Sequence, residues 1–228
     1  MNGRLKILGV VLAVMGLAFV AGGGYALYKT DQGAKALQAF STAQNVKLVY
    51  DGNGVLGGAN PEEAAGIMSL LVNDWGFAVD KSELNPNDPL VNTSSEYMYQ
   101  MATIAYHTLH GATTVVLTEP ADFNGTTVPA GTYQFQNDGR YWTGFDRANP
   151  VEAAARGQLW TGTAHALIAE LGVGSVTASA LTIGQGMAGI LGGIGLLFVI
   201  TGLGLVWVAR GATEKVKVPV LRPATIAA

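Results

Sequence analysis

Two long stretches of this chain carry no charge, and its polar positions gather between them. From Ile7 to Tyr28 there are 22 uncharged residues, ILGVVLAVMGLAFVAGGGYALY, with Arg4 and Lys6 before them and Lys29 after. A helix needs roughly 20 apolar residues to cross ~30 Å of hydrocarbon at ~1.5 Å per residue. Tyr25 and Tyr28 close the stretch, and such amphipathic rings favour a membrane interface. The run is longer than the apolar core of a cleaved signal peptide, about 7–15 residues, so the expectation is a retained signal anchor. The second stretch has no charge between Glu170 and Arg210, and its most apolar part runs from Ile183 to Ala209. The serines and threonines from Ser175 to Thr182 read as an approach to the membrane. The pattern therefore predicts a first span within 1–28, a domain over 29–177, a second span over 178–209 and a tail over 210–228.

Between the spans the periodicity changes. KTDQGAKALQAFSTAQ, after Tyr28, places Ala36, Leu37, Phe40 and Ala43 on one helical side and reads as a stalk continuing the first span. Val46 to Tyr50 alternates like a strand, and DGNG at 51–54 supplies a turn. Three further helices start at caps. Asn60-Pro61-Glu62-Glu63 opens one that should reach Asp74, and Thr93-Ser-Ser-Glu96 is a capping box for one that Gly111 should end. Asn149-Pro150-Val151-Glu152 repeats the first signal. Thr113–Leu117, Thr126–Val128 and Thr132–Phe135 read as strands, with turns at Phe123-Asn-Gly125 and Pro129-Ala-Gly131. The expected fold is α+β: a small antiparallel sheet with three to four helices, set between two transmembrane helices. Gly172 and Gly174 are expected to break the last helix before the second span.

Charge then orients the spans. The two ends hold Arg4, Lys6, Arg210, Lys215, Lys217 and Arg222 against Glu214 alone, leaving seven basic and fifteen acidic residues between the spans. Positive charge stays on the cytoplasmic side, so both termini are expected in the cytoplasm and residues 29–177 outside the plasma membrane. A domain this acidic is not expected to bind nucleic acid. With no cysteine, neither a disulfide nor a thiolate metal site is possible.

Candidate chemistry is sparse. His107 and His110 sit three apart on a predicted helix and His165 lies on another, so the three imidazoles are weak candidates for a zinc site. Gly184-Gln-Gly186-Met-Ala-Gly189 matches G-x-G-x-x-G, but no strand precedes it and no acidic residue follows until Glu214, so it is not a nucleotide site. No nucleophile elbow and no phosphate-binding loop occurs. Eight glycines fall between Gly184 and Gly204, and small residues in a span let helix backbones approach closely. The face expected to pack on another helix joins Gly189 and Gly193 to Gly184, Ala188 and Gly192. In the first span Gly9 with Ala13, and Ala18 with Gly22, repeat the same spacing of four.

The start MNGRLKILGVVLAVMGLAFVAGG and the blocks NPNDPLVNTSSEYMYQMATIAYHTLHG and WTGTAHALIAELGVGSVTAS resemble a group of actinobacterial two-pass membrane proteins. Members are often labelled aromatic ring-opening dioxygenases. Such enzymes typically hold iron through two histidines and a carboxylate, and the residues here do not support that label. The resemblance implies an actinobacterial plasma membrane and carries over no site residue. The function expected is that of a non-catalytic membrane protein, an accessory or scaffold subunit or a self-assembling one. It would need no cofactor, and its partners would be lipid and other membrane subunits or copies of itself. The alternatives are a metal-dependent domain built on the histidines and an oligomeric channel or transporter component.

Overall fold

The computed structural model describes residues 2–58 and 60–214; Lys215, Lys217 and Arg222, which entered the charge argument, lie outside the described residues. The protein is helical, with two short antiparallel strand pairs and two long apolar helices. Its described residues form two compact units, one of residues 2–33 with 181–214 and one within residues 34–180.

The apolar unit is built from the ends of α1 (Asn2–Gln44) and α5 (Gly162–Glu214). Both helices are long and apolar enough to cross a membrane, and only 11% of the most apolar window of each is buried. Their large side chains face outward: Ile7, Val14 and Leu17 on α1, and Ile190, Leu197 and Ile200 on α5, are all exposed. Inside this unit the two helices run antiparallel, with Gly9 against Gly202, Gly16 against Gly195 and Gly23 against Ala188.

α1 does not pause after Tyr28. It runs on to Gln44 and stops at Asn45, which still donates its N–H to the Ser41 carbonyl at 2.8 Å and then turns the chain out of the helix with a positive φ of 52°. The expected break at Gly172 and Gly174 does not occur, because α5 is continuous through both. Those glycines serve packing instead. A Cβ at Gly174 would lie 2.6 Å from the Tyr97 ring, so only glycine allows the ring to rest on the helix there.

In the 34–180 unit the caps act as the sequence predicts. Asn60 starts α2 (Pro61–Ser69), which widens into a single π turn over Leu70–Asp74, closed by the Trp75 N–H donating to the Leu70 carbonyl. Thr93 and Glu96 close a reciprocal capping box on α3 (Ser94–Leu109), and the Asn149 side chain accepts from the Val151 and Glu152 N–H groups to start α4 (Pro150–Leu159). The sheet is smaller than expected. β1 (Ala112–Leu117) pairs only with β4 (Gly131–Gln136), while β2 (Ala121–Phe123) and β3 (Thr126–Val128) form a separate hairpin across Asn124-Gly125. Residues 46–50 form isolated bridges rather than a strand. Leu48 donates to the Pro89 carbonyl and Val91 to that of Val46, but Pro89 has no N–H to extend the ladder.

Two hydrophobic clusters fill this unit. Leu48, Ile67, Leu71, Tyr97, Tyr99 and Leu171 make one; Leu70, Leu109, Val115, Phe145, Ala155 and Trp160 make the other. α3 supplies both, through Tyr97 and Tyr99 near its start and Ala105 and Leu109 near its end. Gly66 lets α2 approach it, since a Cβ there would meet the Tyr106 ring at 2.7–2.9 Å.

Candidate functional site

The three histidines take separate partners. His107 Nε2 pairs with Glu63 Oε1 at 3.0 Å, joining α3 to α2. His110 is not on the helix face: α3 ends at Leu109, and His110 has extended backbone (φ −112°, ψ 157°) as its cap. Its ring stacks on Tyr106 at 4.0 Å, with Nδ1 2.9 Å from the Tyr106 carbonyl oxygen. His165 stands edge-on to Trp142 and Trp160, at 4.9 and 5.7 Å. Among the described residues no three of His, Asp and Glu converge as a metal would require. The i,i+3 spacing promised a shared face that the helix end removes.

Burial, not sequence spacing, marks the unusual acid. Glu96 is 1% exposed, and desolvation holds its carboxyl above the usual carboxylate range despite N–H donors at Asn92 and Thr93. Nearby, Tyr99 is pushed up to about 12, chiefly by burial and then by the charge of Glu63. The Tyr50 hydroxyl, also raised by burial and by Glu96, is buried without a hydrogen-bond partner among the described residues. A phenol at about 12 stays protonated at neutral pH, so Tyr99 offers a donor rather than a base. Hydropathy patterning gives no hint of it, because the capping role of Glu96 explains its presence fully.

Two cavities of the 34–180 unit are small. One of about 140 Å³ lies among Ser41 and Gln44 of α1, Tyr97 and Gln100 of α3, and Leu167 and Glu170 of α5. Ser41 Oγ and Tyr97 Oη share a hydrogen bond of 2.8 Å, and Gln44 Nε2 donates to Glu170 Oε1 at 3.2 Å. A second, of about 200 Å³, lies beside Asn60, Glu63 and Tyr99. Organic ligands of ordinary size occupy ~300–1,000 Å³, so neither is built for one. Two larger hollows, of about 670 and 690 Å³, are open depressions beside Pro86 and Val72.

An aromatic cluster escaped the sequence reading altogether. Arg156 lies over the Trp142 ring at 3.0 Å and donates from Nε to the Trp142 carbonyl, Trp160 stacks on Tyr141 at 5.8 Å, and Trp75 Nε1 donates to the Tyr141 hydroxyl. Its members come from α4 and from the turns after the π turn and β4, far apart in sequence. Arg140 ties its base, bonding Glu152 Oε2 at 2.9 Å.

In the apolar unit the two helices approach most closely where the described glycines Gly9, Gly16 and Gly23 leave no room for a side chain. A Cβ at Gly16 would lie 2.5 Å from the Gly195 carbonyl oxygen, one at Gly195 2.7 Å from that of Gly16, and one at Gly9 2.6 Å from that of Gly202. No side chain fits there. The seam repeats every seven residues: Gly9, Gly16 and Gly23 on α1 face Gly202, Gly195 and Ala188 on α5, with Ala209 buried one repeat on. Of the face expected from sequence, the structure brings Ala188, Gly192 and Gly184 to α1, with the Gly192 amide beside Gly23 and Gly184 beside Thr30. Gly189 and Gly193 point elsewhere and meet nothing within 4 Å, as does Gly22 on α1. Spacing by four turns steadily around a helix, whereas spacing by seven stays on one side, so the heptad was the signal to read.

No family model, curated protein or solved structure matches the chain.

Proposed function

We propose that this chain is a two-pass plasma-membrane protein with both termini in the cytoplasm, whose 34–180 unit is exported and acts by binding protein rather than by catalysis. The observation that carries the reading is the glycine seam. Two apolar helices meet backbone to backbone through glycine while their isoleucines, leucines and valines face outward. That arrangement suits lipid, where packing rather than water exclusion must hold helices together. The charge distribution supports the orientation, with Arg4, Lys6 and Arg210 at one end and an acidic excess in the other unit. The separate partners of His107, His110 and His165 favour a binding role over a metal-based chemical one. A cluster of Trp142, Tyr141 and Arg156 at the surface is of the composition that protein contacts favour.

The chain has no cysteine, so single-cysteine variants report topology cleanly. Thr118 is exposed on the 34–180 unit. An impermeant maleimide should label Thr118→Cys in intact cells and should label Thr213→Cys only after lysis. Protection of Thr118→Cys, or labelling of Thr213→Cys in intact cells, would refute the orientation. A full equivalent of zinc or iron in purified protein, lost in His107→Ala, would overturn the non-catalytic part.

A further inference from the structure

The 34–180 unit carries fourteen acidic side chains against six basic ones, yet its three arginines all fall within residues 140–156. Arg140 is spent, bonding Glu152 at 2.9 Å with Asp138 at 3.8 Å. Arg147 and Arg156 are not: among the described residues no carboxylate lies within ion-pair distance of either. Lost solvation, and then the charge of Arg147, pull the Arg156 guanidinium below its ordinary value. Two cations left together in a unit so rich in carboxylates weaken the fold, and an anion seated between them reverses that cost.

Their surroundings are aromatic and fixed. Arg156 lies over the Trp142 ring and spends Nε–H on the Trp142 carbonyl, so both terminal nitrogens lack a partner among the described residues. Tyr141 rests on the buried Trp160 ring while its hydroxyl accepts from Trp75 Nε1. Trp142 and Tyr141 nevertheless stay 36% and 44% exposed, and Arg147 is exposed beside them in the chain.

We infer that this patch binds an acidic peptide segment of a partner protein, with carboxylates on Arg156 and Arg147 and neighbouring apolar side chains on Trp142 and Tyr141. The inference rests on the protein-binding reading above and names the chemistry of the partner. A guanidinium takes a carboxylate through two parallel hydrogen bonds, and the free terminal nitrogens of Arg156 offer that fork. Because Arg156 is already pinned on Trp142, it gives up little conformational freedom on binding. Tryptophan, tyrosine and arginine are also the side chains that carry most of the energy of protein contacts. The acidic excess of the unit repels a long polyanion, so two cations suit a segment with a few carboxylates rather than nucleic acid.

The full-length chain in a mild neutral detergent tests this with a fluorescein-labelled peptide, Glu-Phe-Glu-Glu-Leu-Glu, followed by fluorescence anisotropy. The control peptide has lysine at each glutamate. The acidic peptide should bind saturably, and Arg156→Gln and Arg147→Glu should each weaken it severalfold. Arg147 makes no hydrogen bond or ring contact among the described residues, so its replacement leaves the fold alone. Lys81→Glu makes the same charge change at an exposed site elsewhere in the unit and should leave binding as in the parent. Absence of saturable binding, equal binding of the lysine peptide, or an equal loss in Lys81→Glu would each overturn the inference. Competition by short-chain phosphatidylglycerol at lower concentration than unlabelled peptide would assign the patch to lipid headgroups instead. An oligomer of the parent that Arg147→Glu dissociates would assign it to a second copy of the chain. Those failures leave the topology and the non-catalytic reading untouched, since these fail by the maleimide and metal tests.

Discussion

Helices meet in both units of this chain, and they meet in opposite ways. In the 34–180 unit the contact is made by large side chains: Leu71, Leu109 and Val115 are fully enclosed, and aromatic rings fill the gaps between α2, α3 and α5. In the apolar unit the contact is made by the absence of side chains, with glycine backbones touching and large residues turned out. Water rewards the first arrangement, because each enclosed leucine removes apolar surface from solvent. Lipid is as apolar as leucine, so in the membrane placement proposed above the second unit would gain only from close contact, and glycine permits it. The comparison teaches that glycine means different things along one chain. At Gly111 and Gly125 it allows a positive φ in a turn; at Gly16 and Gly195 it sits mid-helix, where its low helix propensity is offset by packing.

The largest expected effect lies in the seam. Gly16→Leu or Gly195→Leu places a side chain where a Cβ alone would already sit 2.5–2.7 Å from a carbonyl oxygen, so the helices must part. The amount of protein in the membrane should fall severalfold, measured by quantitative blotting of membrane fractions. Gly189→Leu should accumulate like the parent, since no protein atom lies within 4 Å of its Cβ position. If both classes behave alike, the contrast between the two units collapses.

Smaller in consequence, and confined to the other unit, is Leu71→Ala. Leu71 is 0% exposed within the first cluster, and removing such a side chain costs about 2–5 kcal/mol through lost transfer energy and the cavity left behind. Thermal unfolding in detergent should show an earlier transition for the 34–180 unit, while membrane accumulation changes little. A drop in accumulation as large as that of Gly16→Leu would mean that the two units do not fold independently.

What the sequence made legible follows from how local each signal is. The caps at Asn60, Thr93 and Asn149 act over three or four residues, and the structure has all three. The two long apolar helices were visible because apolar length is a property of the chain alone. Gly174 was misread because its purpose is the Tyr97 ring, 77 residues away in sequence, and nothing near Gly174 announces that ring. The aromatic cluster likewise joins Trp75, Trp142 and Trp160 across separate elements. The heptad of Gly9, Gly16 and Gly23 was present in the sequence but lay hidden among other glycines at spacing four.

The smallest effect is a pH dependence that only the 34–180 unit should show. Glu96 is buried, and desolvation raises its carboxyl above its ordinary value of 4.5, outweighing the hydrogen bonds from Asn92 and Thr93 that pull the other way. The folded chain therefore holds that proton more tightly than the unfolded chain does. Between 4.5 and the raised folded value the native state binds more protons, so stability falls as pH climbs through that window and levels off above it. Asp51 and Asp80 act in the opposite sense, their carboxyls held below 3.8 chiefly by hydrogen bonds from Val55 and Ser82 respectively, so their contribution is lost only in stronger acid. Comparing the parent with Glu96→Gln isolates the one group, because glutamine keeps an acceptor for the Thr93 N–H and does not titrate. Melting temperatures measured from pH 4 to 7 should show the parent losing ground to the variant as pH rises. A difference that is flat, or that moves the other way, would mean that the capping hydrogen bonds dominate and that Glu96 is an ordinary carboxylate in spite of its burial.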